Sequence, residues 1–145
     1  MESSILGLAF TGLVLDSSVI IEAERKRQTV EELLTSIREA FGEIEVSISA
    51  VTVAELAHGV ARAHTPEGHG RRRGFLDELK KHVPVHPVTA ESGELAGQLS
   101  GEQAAKGVTL PIDDLLIGVA ALEQNYAVAT LNRRHLEKIP GVIVV

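Results

Sequence analysis

The 145-residue chain has no cysteine and no tryptophan, one tyrosine and three phenylalanines. Without cysteine there can be no disulfide and no thiolate metal site, which fits a reducing compartment. So few aromatics leave no stacking platform for single-stranded nucleic acid as the main binding device. No apolar run approaches the roughly 20 residues of a membrane span, and Glu2 stands where a signal peptide needs a basic start. A soluble, cytoplasmic protein with no membrane association is expected. Positive charge is also short, with 14 Lys and Arg against 20 Asp and Glu and a net charge of −6. That balance argues against holding nucleic acid by charge alone. It does not argue against a nuclease, whose ligand carboxylates count as negative until a cation arrives. The basic residues fall in clumps, Arg25-Lys26-Arg27, Arg71-Arg72-Arg73, Lys80-Lys81 and Arg133-Arg134, which read as solvated faces. Arg133 and Arg134 are the exception, since they follow directly on a candidate site position.

What is present suffices for one domain, because 44% of the residues are hydrophobic and Leu, Val, Ile and Ala can build the core. Residues 1–11 read as a short N-terminal extension and residues 12–145 as a single domain. Leu13 to Leu15 reads as a buried strand that ends in the capping cluster Asp16-Ser17-Ser18. Val30, Leu33, Leu34, Ile37 and Phe41 stand at helical spacing, with Gly42 as the stop. Glu45 to Ser49 alternates as a second strand. Val51 to Ala63 reads as a helix with Ala54, Ala57, Val60 and Ala61 on one face. Pro66, Gly68 and Gly70 predict a loop over 64–74, followed by a helix around Phe75 to Lys81. Val83 to Val88, interrupted by Pro84 and Pro87, is at best an edge strand. Thr89 or Ser92 caps a further helix that Gly107 ends, and Ile112 to Gln124 is apolar almost all round, as a buried helix is. Tyr126 to Thr130 is a strand, Asn132 to Ile139 a short helix and Val142 to Val145 a last strand. Strands alternating with helices predict an α/β fold with a central, mainly parallel sheet flanked by helices on both faces. Ligands bind such sheets beyond the carboxyl ends of the strands.

Four segments set a carboxylate or carboxamide against apolar structure. Asp16 follows the first buried strand. It reads as a helix N-cap unless Ser17 or Ser18 takes that role and frees it. Glu55 falls on the helical wheel with Val51, His58 and Arg62, and periodicity alone makes it a solvated partner of His58 or Arg62. Asp113 and Asp114 open the buried helix, where the dipole favours acids. Two in a row exceed what capping needs, and spacing does not decide which one faces the cleft. Thr130 and Asn132 end the fourth strand, and either can cap the helix that follows. Oxygen donors gathered without basic partners suit a hard divalent cation.

In their order and intervals these segments resemble the PIN-domain ribonucleases, and among them the VapC toxins of bacterial toxin–antitoxin pairs. The resemblance runs from Leu13 to Val145. It rests on the strand ending in Asp16, on Ser49-Ala50-Val51-Thr52-Val53-Ala54-Glu55-Leu56-Ala57-His58-Gly59, on Asp114-Leu115-Leu116-Ile117-Gly118-Val119-Ala120, and on Ala129-Thr130-Leu131-Asn132-Arg133-Arg134-His135-Leu136. It implies a PIN-like fold and a metal-dependent endoribonuclease acting on structured RNA such as tRNA or rRNA. Asp16, Glu55 and Asp114 would bind Mg²⁺ or Mn²⁺, with Asp114 preferred because the family's Asp directly precedes the Leu-Leu-Ile run. Asp113 is then left as a cap. Thr130 and Asn132 would orient water or a phosphate oxygen. The chain departs from the family at Asn132, often Asp there, and at Gly118, commonly Ala, a change expected to affect packing only. The resemblance also implies a small VapB-like antitoxin seated in an apolar groove among the first helices and sending an Arg towards the acids. A homodimer, forming a heterotetramer or larger assembly with the antitoxin, is implied as well.

Three other readings compete. A haloacid-dehalogenase-like phosphoryl-transfer site needs a second Asp two residues after Asp16, where Ser18 stands, and a receiver needs a paired acid and a later Lys that are not evident. A catalytically weak PIN-like module that binds RNA or protein is the alternative that Asn132 half suggests. A zinc site from His58, His64 and His69 lacks a paired carboxylate, and scattered solvated histidines are far commoner.

Overall fold

A computed structural model of the chain describes residues 10–145. Four parallel strands, β1 (Gly12–Leu15), β2 (Glu45–Ser49), β3 (Val85–His86) and β4 (Ala127–Ala129), form one sheet in the order β3-β2-β1-β4. Seven helices among the described residues connect and cover them. These are α1 (Ser17–Arg25), α2 (Val30–Phe41), α3 (Ala50–Ala61), α4 (Pro66–His82), α5 (Ala90–Ala104), α6 (Ile112–Gln124) and α7 (Arg133–Leu136). None is long and apolar enough to cross a membrane.

The central strand shows why the sheet needs covering twice. Leu13, Val14 and Leu15 are all fully buried, and alternation sends them to opposite faces. Leu13 and Leu15 join a core with Ile20, Leu33, Ile48 and Leu79, while Val14 joins Leu99, Leu115, Ile117 and Leu136 on the other face. This is the α/β sandwich predicted from the alternation of elements. Helix α6 is buried along Leu115, Ile117, Gly118, Val119, Ala120 and Ala121, as its all-round apolar character requires. A Cβ at Gly118 would meet Ile139 Cδ1 at 2.7 Å and Val142 Cγ2 at 3.3 Å, so the bare backbone there lets the C-terminal segment lie close against α6.

Several boundaries differ from the sequence reading. The loop predicted over 64–74 is instead the start of α4. Thr65 caps that helix by accepting from the Gly68 amide at 3.0 Å, and Pro66 occupies its first turn, where a proline initiates rather than breaks a helix. Arg71 on Glu24 and Arg72 on the Gly59 carbonyl tie this glycine-rich turn down. The last strand is reduced to a single parallel bridge between Val128 and Val144. On α3 the predicted apolar face is only half right. Val60 is buried and Ala57 half-buried, but Ala54 and Ala61 are exposed and Thr52 is buried in their place. Of the 1–11 extension, residues 1–9 lie outside the described residues. Phe10 is buried in the core, and Thr11 donates its amide to the Asn125 carbonyl.

Candidate active site

Going outward from β1, the chain adds β2 and β3 on one side and then returns to place β4 on the other. The carboxyl ends of β1 and β4 therefore flank a topological switch point, where the connections leave a crevice. Asp16 is the first residue after β1 and Thr130 the first after β4, and the Asp16 amide donates to the Ala129 carbonyl at 3.0 Å. Helices α1 and α6 both begin at this edge, so the positive ends of two helix dipoles face it.

Asp16 and Thr130 are buried and hydrogen-bonded into a small hydroxyl network. Oδ2 of Asp16 accepts from Ser18 Oγ and from Thr130 Oγ1, each at 2.8 Å. Ser18 Oγ in turn accepts from the Leu131 amide at 3.0 Å, and Thr130 Oγ1 accepts from the Asn132 amide at 2.9 Å. Two hydroxyls thus fix one carboxylate oxygen. The other, Oδ1, accepts no hydrogen bond among the described residues. Neither serine caps α1 through its side chain, which leaves Ser18 free for this work. Its part was missed in the sequence, where a Ser after Asp at a strand end reads only as a cap.

Glu55 reaches the same crevice from α3, and it is not the solvated residue that helical periodicity suggested. Its Oε1 is buried and without a hydrogen-bond partner. Burial, and then the adjacent Asp113 carboxyl, push its pKa up to about 7, with the Asp16 charge adding to the rise and the Ser17 hydroxyl opposing it. Asp114 is also raised, first by burial and then by Asp113 and Asp16, with a hydrogen bond from His135 working the other way. The four carboxyls therefore feel one another. Asp113 is no cap, since α6 has Pro111 at its N-cap and no side-chain cap bond. It stands against Glu55, in the site. His135 Nδ1 lies 3.0 Å from Asp114 Oδ2. An ionised carboxylate only accepts, so we assign the proton to Nδ1.

Asn132 sits at the N-cap of α7 with its side chain exposed and makes no cap bond. Of the adjacent pair, Arg133 is engaged by Glu137 Oε2 and the Val144 carbonyl, whereas Arg134 is exposed and has no ion pair among the described residues. His58, His64 and His69 are all exposed.

Among the described residues, no three His, Asp or Glu side chains stand as a finished ligand cage. The donor set still suits a hard divalent ion. Four carboxyls converge, none pairs with Lys or Arg among the described residues, and a buried Glu55 oxygen lacks any partner. Carboxylates driven upward by mutual repulsion are restored to their charged form by a cation.

A groove of about 320 Å³ leads away from Glu55 between α1, α3 and α4. Ile20, Ile21, Leu56, Phe75 and Leu76 line it, and Arg25, Arg27 and Arg72 stand at its edges. Ile21 is exposed there.

A profile of the PIN domain matches residues 13–142. The chain is similar to the ribonuclease VapC of Rickettsia bellii, 25% identical over 133 residues that cover 92% of this chain and 94% of the relative. It is similar also to the tRNA(fMet)-specific endonuclease VapC of Salmonella typhimurium, 28% identical over 117 residues, 79% of this chain and 86% of that one. Its fold matches a chain of the VapBC2 complex of Rickettsia felis bound to a DNA fragment from its promoter. That match has a TM-score of 0.77 at 22% identity and covers 92% of this chain and 96% of the other.

Proposed function

The chain belongs to the PIN domain family, and from that premise we propose that it is a metal-dependent endoribonuclease of the VapC toxin type. It acts in the cytoplasm on structured RNA, tRNA or rRNA. The observation that carries this reading is the meeting of Asp16, Glu55, Asp113 and Asp114 at the switch point of the sheet, with an unpartnered Glu55 oxygen among them.

Mg²⁺ or Mn²⁺, when bound, supplies a water of lowered pKa and neutralises charge that builds on the scissile phosphate. Asp16, Glu55 and Asp114 are the residues that would hold it. Asp16 is presented in one orientation because Ser18 and Thr130 hold its Oδ2. Glu55 would hold the cation directly or through a water, and its ionised carboxylate could take a proton from that water. Thr130 links Asp16 to the Asn132 amide, and the exposed Asn132 carboxamide is free to orient water or a phosphate oxygen. Arg134 offers a cation to the RNA backbone beside the acids.

The groove between α1, α3 and α4 is the seat we assign to a VapB-like antitoxin. Its lining combines the apolar Ile20, Ile21, Leu56, Phe75 and Leu76 with charged side chains, Glu55 among them, and Ile21 is exposed. An antitoxin arginine reaching Glu55 would meet carboxylates and take the place of the cation. Homodimers that join antitoxins in a heterotetramer or larger assembly follow the same reading, and light scattering of the co-purified complex measures them.

The decisive experiment incubates purified protein with total tRNA and rRNA in Mg²⁺ or Mn²⁺, with and without EDTA, and maps new RNA 5′ ends. Asp16→Asn and Asp114→Asn are expected to abolish EDTA-sensitive cleavage while leaving the fold intact. Cleavage by Asp114→Asn equal to the parent's overturns the site. Metal binding without any cleavage leaves a PIN-like binding module instead.

A further inference from the structure

We propose that His135 is a positioning residue for Asp114, holding one carboxylate oxygen so that the other is offered to a divalent cation in a fixed orientation. The inference rests on the metal-dependent reading of the site, and it concerns a residue whose role that reading leaves open.

The fold gives His135 little freedom to do anything else. Helix α7 is only four residues long, yet it is pinned on three sides. Leu136, the next residue, is fully buried in the core that contains Leu115 and Ile117 of α6. Arg133 holds Glu137 at 3.0 Å and the Val144 carbonyl at 3.2 Å. Just beyond the helix, Gln103 of α5 donates to the Lys138 carbonyl at 3.0 Å. These anchors set the His135 backbone beside the first turn of α6, and the imidazole meets Asp114 Oδ2 at 3.0 Å.

The hydrogen bond repeats, at a second acid, the arrangement at the first. Asp16 has Oδ2 held by two hydroxyls, and Asp114 has Oδ2 held by one imidazole. In both, Oδ1 accepts no hydrogen bond among the described residues. Mg²⁺ demands near-ideal octahedral geometry, so a carboxylate that pivots binds it poorly. Partners behind a ligand typically contribute about 10- to 100-fold in metal affinity. Both partners are half-buried, with 30% of the His135 side chain and 20% of the Asp114 side chain exposed. This favours a bond that persists over one exchanged with water.

The test is a Mn²⁺ titration followed by calorimetry or electron paramagnetic resonance, on the full chain without RNA. His135→Ala is expected to weaken Mn²⁺ binding by about 10- to 100-fold. His135→Asn, whose side-chain amide places an N–H near the position of Nδ1, is expected to recover most of that loss. Cleavage assays should agree, with activity of the Ala variant returning as Mn²⁺ is raised and KM for RNA unchanged. Two results overturn the inference alone: Mn²⁺ binding by His135→Ala equal to the parent's, or an Asn variant as impaired as the Ala variant. A parent chain that binds no Mn²⁺ overturns the nuclease reading and this inference together.

Discussion

Glu55→Gln should stabilise the metal-free protein above neutral pH, and the size of the gain follows from the site. The Glu55 pKa stands near 7 in the folded chain against 4.5 for the free side chain. The folded state therefore binds this proton more tightly than the unfolded state. Below pH 4.5 both states are protonated and the group adds no penalty. As pH rises from 4.5 to 7 the unfolded chain loses the proton first, so stability falls, and above 7 the full penalty applies. The difference of 2.5 units between those two values corresponds to an upper bound of about 3.4 kcal/mol. Solvent reaches part of the side chain and screens the charge, which leaves roughly 1–2 kcal/mol. Glutamine keeps the shape, carries no charge and can donate to Asp113. Urea unfolding in EDTA at pH 4.5, 6 and 8 checks the sign. The Gln variant should equal the parent at pH 4.5 and exceed it by that amount at pH 8. Manganese should reverse the order, because the parent gains about 2.7 kcal/mol at a hundredfold excess over its dissociation constant. A Gln variant no more stable than the parent at pH 8 would refute the placement of Glu55 against Asp113.

Thr130→Val removes one donor from Asp16 and the acceptor of the Asn132 amide. It should cost about 1–3 kcal/mol in urea unfolding and weaken Mn²⁺ binding. Gly12→Ala should destabilise more than Gly118→Ala within the roughly 1–3 kcal/mol of overpacking. At Gly12 a Cβ meets the Glu45 backbone carbonyl at 2.8 Å, which cannot yield, whereas at Gly118 it meets the tip of Ile139. Thermal melts of the two variants rank them. Ile21→Asp, at an exposed position of the groove, should abolish antitoxin co-purification and leave metal-dependent RNA cleavage by the chain alone unchanged.

Most of the fold could be read from the chain because hydrophobic period and capping agree along it. Leu13 to Leu15, Val30 to Phe41 and Ile112 to Gln124 each carry one unambiguous signal. The failures occur where two signals compete. Pro66, Gly68 and Gly70 read as a loop, yet Thr65 caps a helix with proline in its first turn, which the packing of Arg71 and Arg72 onto α1 and α3 holds in place. On α3 alanine is apolar enough to look buried and small enough to be left outside, so periodicity placed Glu55 on the wrong face. Spacing does not separate Asp113 from Asp114, and the resemblance that favours Asp114 leaves Asp113 as a cap, since neither signal registers α3 across the crevice. The Ser18 bond to Asp16 is local, but its bond from the Leu131 amide and the His135 bond to Asp114 join residues remote in sequence.

The bond between Asp16 and Thr130 joins positions 114 residues apart. Synthesis delivers the first acid early and the hydroxyl that aims it only when the chain is nearly complete. At about 5–20 residues per second, several seconds separate the two. Non-local closures of this kind are made late in folding. A chain cleaved before Thr130, like one not yet extended to it, therefore lacks the hydroxyl that helps to hold Asp16 Oδ2. On the proposed toxin reading, that interval is also the time in which an antitoxin would reach the groove.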